Sequence, residues 1–465
     1  MLLQKPTLYT DFYELTMAQG YFLSGRHQQP ANFDYFFRSL PFKGGYVVFA
    51  GLSDLLEIIE NFTFHEDELA YLKEQGFKSE FLSYLKDFQF QGDIYSVKEG
   101  EVIFANEPVL RVDGNILETQ ILETVILNTL NFESLIATKA SRIALAAGDK
   151  SVLDFGLRRS QGLGGLQASK ASVIGGIGGS SNVLSGKMYD IDVSGTMAHS
   201  WVQSFEDELT AFRTYARHYP DASILLVDTY DTLKSGVPNA IKVAKELEEK
   251  GHKLIAIRLD SGDLAYLARQ SRNMLDNAGL DYVKIAASNQ LDEYVIKSLQ
   301  NQNAPIDLFG VGTKLVTAYD DPALDGVYKL SSINGNPTLK ISENIEKITL
   351  PDTKKIVRYL NEDGSFYCDG VLLEDEGDQD VVYHPHVTHK SSKVATLKSE
   401  TLLSKIVDQG RVTITPPKPK QSAAYARERL AKLNQEHKRF DNPHVYKVGV
   451  SRKLRDLKDQ LVQKG

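Results

Sequence analysis

Five short stretches put residues capable of chemistry among small or turn-forming neighbours: DFGLRRSQG (Asp154 to Gly162), SGTMAHSW (Ser194 to Trp201), LLVDTYD (Leu225 to Asp231), RLDSGD (Arg258 to Asp263) and FGVGTK (Phe309 to Lys314). His199 carries an imidazole, a competent nucleophile near neutral pH, and Gly195, Thr196 and Ala198 leave room beside it. Arg158 and Arg159 offer planar forks suited to phosphate or carboxylate. Asp228 and Asp231 follow an apolar run, where two carboxylates could hold sugar hydroxyls or a Mg²⁺ shell. RLDSGD packs one cation with two acids, a costly arrangement unless the charges pair or meet a ligand. FGVGTK supplies glycine N–H groups and a hydroxyl suited to a terminal phosphate.

Other tempting patterns fail on spacing. GGIGGSSNV (Gly175 to Val183) is glycine-rich, but Ser181 stands where a dinucleotide fingerprint needs its third glycine, and Gly186-Lys187 runs into Met188 without the upstream glycine of a phosphate loop. YHPHVTH (Tyr383 to His389) gathers three histidines in hairpin-like text without matching acids or cysteines. It reads as an exposed loop rather than a metal site.

Chemistry at such scattered positions requires elements that bring them together. From about residue 151, short runs rich in Val, Ile and Leu alternate with helical patterns such as VPNAIKVAKELEEKG (Val237 to Gly251). Its apolar Ile241, Val243, Ala244 and Leu247 form a stripe, and Gly251 suits a helix end. Alternating strands and helices imply a parallel sheet, and a repeat of roughly 25–30 residues is that of a β/α barrel unit. In such a barrel the strand ends share one face. Asp154, His199, Asp228, Arg258 and Asp260 all fall at strand ends, as do Ser288, Asn289 and Thr313. Residues 1–150 read as an α/β layer domain. Its helical patterns are Thr10 to Phe22, Leu52 to Phe62 and Leu117 to Ala147; its strand-like pieces are Ala31 to Phe37 and Glu101 to Val112. Beyond Tyr328, KLSSINGNPTLKIS predicts a hairpin turning at Asn334-Gly335. PPKPK reads as a linker, and SAAYARERLAKLNQEHKRF as an exposed amphipathic helix.

With 465 residues, two domains are expected, with room for a third small piece. A formal net charge of −8 argues against a general nucleic-acid or membrane-surface binder. The single cysteine, Cys368, permits no intrachain disulfide and points to a reducing compartment. Neither a signal-peptide pattern at the N-terminus nor an apolar run long enough for a membrane helix is expected.

Taken in order, TDFYELTMAQGY, DFGLRRSQG, SSNVLSG, GTMAHSW, LLVDTYD, RLDSGD and FGVGT resemble the nicotinate phosphoribosyltransferase family over roughly residues 6–330, with weaker agreement to the C-terminus. The resemblance implies an α/β fold. An irregular β/α barrel of the type II phosphoribosyltransferase kind spans 133–327. An N-terminal α/β sandwich domain spans 1–132 and is completed by 328–380, and a C-terminal extension covers 381–465. It implies a cytoplasmic homodimer with a shared active site. The implied activity is an ATP-dependent glycosyltransferase or ligase that joins nicotinate to 5-phosphoribosyl 1-pyrophosphate (PRPP). The products are nicotinate mononucleotide and pyrophosphate, in the first step of NAD salvage from nicotinate.

Residue roles follow from the same resemblance. His199 becomes phosphorylated by ATP, and His199, Arg258 and Asp260 form the catalytic set. Tyr13, supplied by a partner copy, and Phe155 sandwich the pyridine ring. Arg258 pairs with the nicotinate carboxylate and Thr196 touches it. Ser181 stands where nicotinamide-using relatives carry aspartate, and a neutral residue there favours the acid. Arg158, Asp228, Asp260, Gly312 and Thr313 handle PRPP. Mg²⁺ rides on the substrate phosphates, with Asp228 and Asp260 as candidate ligands and no dedicated protein cluster. Rival readings are the nicotinamide enzyme, which Ser181 opposes, and the quinolinate enzyme. A barrel lyase would need a Schiff-base lysine or a metal cluster at strand ends. A non-catalytic nucleotide-binding barrel is opposed by His199, Arg258 and Asp260.

Overall fold

A computed structural model describes residues 5–344, 347–387 and 389–464; residues 1–4 of the N-terminal stretch and Thr388 of YHPHVTH lie outside them. The chain divides into two units, Met1–Thr138 with Ala323–Gly465, and Lys139–Pro322. The first division falls inside the helix Glu123–Ala147.

The second unit carries the alternating strands and helices. Its strands are β1 (Ser151–Asp154), β2 (Gly179–Ser180), β3 (Ile224–Leu226), β4 (Ala256–Leu259), β5 (Lys284–Ser288) and β6 (Leu308–Val311). They form one six-stranded sheet in the order β2-β1-β6-β5-β4-β3, and every pairing is parallel. Val152, Leu225, Ile257, Ala287 and Phe309 are buried on these strands. Near-continuous apolar runs are what a parallel sheet covered by crossover helices requires. The sheet curls: Leu153, Ile224, Arg258, Ser288, Leu308 and Gly310, from five strands, line one small internal cavity. Its edge strands β2 and β3 do not pair among the described residues, which makes the barrel irregular. The helix Val237–Glu248 buries Val237, Ala240, Val243, Ala244 and Leu247. The chain turns after it through Gly251 at φ 80°, a conformation glycine adopts without a side-chain clash.

The first unit holds two large sheets. One runs Asn336–Pro337, Gly326–Ile333, Pro30–Phe37, Leu110–Asn115, Asp93–Ser96, Ser404–Asp408, Arg411–Val412. The other contains Lys354–Leu360, Phe366–Leu373 and Val448–Val450 among its six strands. The stretch 381–465 thus contributes to both sheets, because edge strands of each need partners for their backbone groups. The Asn334-Gly335 hairpin forms as expected, with φ of 51° and 70° at the two turn residues and Ile333 opposite Asn336. The piece Glu101 to Val112 is not one strand. It splits into Val102–Ile103 and Leu110–Asn115, which belong to different sheets. The helix Pro419–Lys432 is less exposed than its composition implies. It buries Ser422, Ala426 and Arg429, and Arg429 Nε donates to Glu101 Oε1 at 2.8 Å. A buried arginine is tolerated there because a buried carboxylate meets it.

One carboxyl of this unit makes stability depend on pH. Glu14, in TDFYELTMAQGY, is fully buried, and burial pushes its pKa from 4.5 up to about 7 against the opposing hydrogen bonds from Thr124 and Thr10. The folded chain therefore holds a proton that the unfolded chain releases earlier. That contribution is complete below about 4.5 and is lost as pH rises towards 7. Glu14→Gln is expected to flatten the fall in Tm across this window, read by thermal melts at a series of pH values. An unchanged slope would place the titrating group elsewhere.

Candidate functional site

Period-two geometry assembles the site. In parallel strands, register partners point to the same side, and Leu226, Arg258, Ala286 and Leu308 are successive partners across β3 to β6. Two residues further on, at the carboxyl ends of β3, β4 and β5, stand Asp228, Asp260 and Ser288. The polar atoms there are tightly linked. Arg258 Nη2 donates to Asp260 Oδ1 at 3.0 Å and Nε to Ser288 Oγ at 2.9 Å. Ser288 in turn donates to Asp260. The Asp260 backbone N–H and the Ser261 hydroxyl donate to Asp228 Oδ2 at 2.8 and 2.7 Å.

His199 opens the short helix His199–Gln203. Its Nδ1 lies 3.1 Å from Thr229 Oγ1. Its Nε2 faces Asp228 Oδ1 at 3.9 Å and Asp260 Oδ2 at 3.8 Å. The imidazole and the Arg258 guanidinium therefore meet at the same carboxylate. Arg258 is also fixed from the SGTMAHSW segment: Nη1 donates to Thr196 Oγ1 at 2.9 Å and to the Met197 carbonyl at 3.3 Å. The guanidinium sits 5.5 Å from the Phe155 ring centroid. Phe155 packs against Gly310, where an added Cβ would come within 2.5 Å of the ring carbons Cδ2 and Cε2. Gly310 is therefore required by this ring rather than by any turn.

Arg158 is exposed on the 3₁₀ turn Leu157–Arg159 that follows Phe155. Gly312 and Thr313 begin the short helix after β6, beside the Phe155 turn, since Phe155 N–H donates to the Val311 carbonyl at 2.8 Å. Ser181 follows β2, and its N–H donates to the Asp154 carbonyl at 2.8 Å. Tyr13 belongs to the first unit, where its ring is exposed on the helix Phe12–Leu23. Partial burial and the neighbouring Glu123 carboxylate push its hydroxyl pKa up.

Three acids that the sequence brought forward do other work. Asp231 accepts from the Leu233 and Lys234 N–H groups, and Asp263 caps the helix Leu264–Asn277 through Tyr266 N–H at 3.0 Å. Both are N-cap positions, where aspartate is a preferred type. Asp154 is fully buried instead of opening to the rim. Thr229, Ser261 and Ser288 join the site without having been assigned a role. The only signal for them was adjacency: hydroxyl residues beside acids at strand ends. Asp228 Oδ1 is buried and accepts no hydrogen bond. An orphaned carboxylate oxygen beside an imidazole and a second carboxylate calls for a cation or a donor. Among the described residues no group of three or more His, Cys, Asp and Glu side chains is placed to hold a metal ion, and no helix is long and apolar enough to cross a membrane.

A parallel barrel whose strand ends carry arginine, carboxylates, an imidazole and glycine-lined turns, together with a separate α/β unit, defines a type II phosphoribosyltransferase-like protein. Family models agree. The nicotinate phosphoribosyltransferase N-terminal domain matches residues 8–131, the family model 151–365 and the C-terminal domain 353–458. Nicotinate phosphoribosyltransferase of Bacillus subtilis is 44% identical over 457 residues, covering 96% of this chain and 93% of the relative. The Dictyostelium discoideum enzyme of the same name is 37% identical, covering 98% and 88%. The crystal structure of human nicotinic acid phosphoribosyltransferase superposes with a TM-score of 0.87 at 31% identity, covering 97% of this chain and 99% of that one. The chain belongs to the nicotinate phosphoribosyltransferase family.

Proposed function

We propose that this barrel rim joins nicotinate to PRPP, releasing nicotinate mononucleotide and pyrophosphate, with ATP hydrolysis coupled through phosphorylation of His199. The observation that carries the reading is the joint placement of the imidazole of His199 and the guanidinium of Arg258 on one carboxylate, Asp260. An aromatic ring, Phe155, lies beside that guanidinium. A planar anion stacked on Phe155 would bring its carboxylate to Arg258 and Thr196. Tyr13 of a second copy would cover the other face of the ring, in a homodimer with shared sites.

Substitution occurs at the ribose C1 carbon. The bond to pyrophosphate breaks, the electron pair leaves with it, and the pyridine nitrogen forms the new bond from the opposite face. That nitrogen is unprotonated near neutrality, so no protein base is needed, and the enzyme contributes positioning and charge stabilisation. Arg158 and the turn at Gly312 and Thr313 would hold phosphoryl oxygens. Asp228 and Asp260 fit a Mg²⁺ ion, because Asp228 Oδ1 is a buried hard donor that accepts no hydrogen bond. When bound, Mg²⁺ supplies screening of pyrophosphate charge.

In the ATP half-reaction, the tautomer that carries its hydrogen on Nδ1, facing Thr229 Oγ1, leaves the Nε2 lone pair to attack the terminal phosphorus. The phosphorus–oxygen bond breaks and ADP departs. The imidazole gains positive charge as the nitrogen–phosphorus bond forms, and the carboxylates of Asp228 and Asp260 stabilise that charge. The expected setting is cytoplasmic NAD salvage from nicotinate.

The test is turnover of nicotinate against nicotinamide, each with and without ATP. Nicotinate is expected to be preferred and its turnover raised by ATP. Preference for the amide would replace this reading with the nicotinamide enzyme. Absence of turnover with both would replace it with a non-catalytic nucleotide-binding barrel.

A further inference from the structure

We infer that Asp154 is a positioning residue that locks the ring-stacking turn and the Ser181 loop to each other, and so sets selection for nicotinate. This rests on the nicotinate reading above and adds to it a residue that touches no substrate. Asp154 ends β1 and is fully buried. Its Oδ1 accepts from Gly156 N–H at 2.7 Å, which fixes the turn carrying Phe155 and Arg158. Its Oδ2 accepts from the Ser180 hydroxyl at 2.7 Å and the Ser169 hydroxyl at 2.8 Å. Ser180 Oγ then accepts from Asn182 N–H at 3.0 Å, while the Asp154 carbonyl accepts from Ser181 N–H. One residue therefore holds both flanks of Ser181 and the turn that aims the Phe155 ring.

The surroundings leave little slack. A Cβ at Gly156 would lie 2.2 Å from Val316 Cγ1, so the turn is pressed against the helix after β6. Gly310 admits the ring on its other side. Three donors converge on the Asp154 carboxylate. An asparagine offers one acceptor oxygen and sets its own N–H donors against a partner that also donates. On the amide-nitrogen side the Ser180 and Ser169 hydroxyls must turn from donating to accepting, and their links lose the strength that the carboxylate charge gave them. His199 sits outside this network, between β2 and β3, with Thr229, Asp228 and Asp260 as its neighbours.

Asp154→Asn is therefore expected to raise the nicotinate KM about tenfold and to cut the nicotinate-to-nicotinamide ratio of kcat/KM by a similar factor, the cost of roughly one charge-assisted hydrogen bond. Labelling of His199 by γ-labelled ATP should stay at the wild-type level. Ser180→Ala, which removes the loop-side link alone, should move the ratio in the same direction. Ser169→Ala removes a hydroxyl that meets Asp154, Ser180 Oγ and Asn182 Nδ2, and should move the ratio the same way by a smaller factor. If Asp154→Asn does not fold, the two serine variants decide the matter. An unchanged ratio in Ser180→Ala, or loss of labelling in step with the rise in KM, would reduce Asp154 to a general structural role and overturn the inference. A wild-type chain that turns over no nicotinate would instead sink the functional reading, so the two failures are distinguishable.

Discussion

Replacing His199 by asparagine is expected to abolish phosphate transfer from γ-labelled ATP to the protein and to remove the ATP-dependent part of nicotinate turnover. Asparagine keeps a donor near Thr229 Oγ1 and fills similar space, but its amide nitrogen has no lone pair free for attack on phosphorus. The wild-type label should be acid-labile and base-stable, as a nitrogen–phosphorus bond dictates. The expected fall in ATP-stimulated kcat/KM is about 100-fold or more, the scale of losing a nucleophile together with its activation. Turnover without ATP should persist at its wild-type level, because ring attack on C1 needs no imidazole. A label that survives in this variant would mean that another residue accepts the phosphate.

Arg258 carries the second large effect. Its side chain is only 14% exposed, and all three guanidinium nitrogens already donate, to Thr196, Met197, Ser288 and Asp260. Arg258→Ala removes the cation that would face the substrate carboxylate and leaves Asp260 with only Ser288 and His199 beside it. Truncating one member of a hydrogen-bonded charge pair at a binding site costs about 2–5 kcal/mol, so nicotinate kcat/KM should drop by roughly a thousandfold. Arg258→Lys keeps the charge but loses the fork, and a loss of about a hundredfold is expected, most of it in KM. Nicotinamide turnover should fall far less in the lysine variant, because the amide presents no full charge. An equal fall for both substrates would show that the arginine holds the frame of Ser288 and Asp260 without reading the carboxylate.

The barrel was legible because its signal is repetitive. Each apolar run had to be buried on both faces, and each ended in a polar residue at a similar spacing. Aspartate at a strand end remained ambiguous, since it also caps the helix that follows. Asp231 and Asp263 are spent on caps, whereas Asp228 and Asp260 face the imidazole. The choice is made by register: Asp228 and Asp260 stand on the inward-pointing row two residues beyond Leu226 and Arg258. Hydroxyl partners such as Thr229 and Ser288 carry no pattern of their own, so only the fold brings them to the site. The short strands within 381–465 are weakly patterned in sequence; they are completed by pairing with strands far away along the chain.

The sequence by itself determined the alternation of strands and helices, the residue types at the rim and the family. These depend on local periodicity and on side-chain chemistry, both written directly in the order of residues. Only the tertiary structure decided which acids meet His199, that Asp154 is a buried tie between two loops, and that Gly310 exists to seat an aromatic ring. Those facts depend on register and on close packing between segments tens of residues apart, and 155 apart for Phe155 and Gly310, which no local pattern encodes.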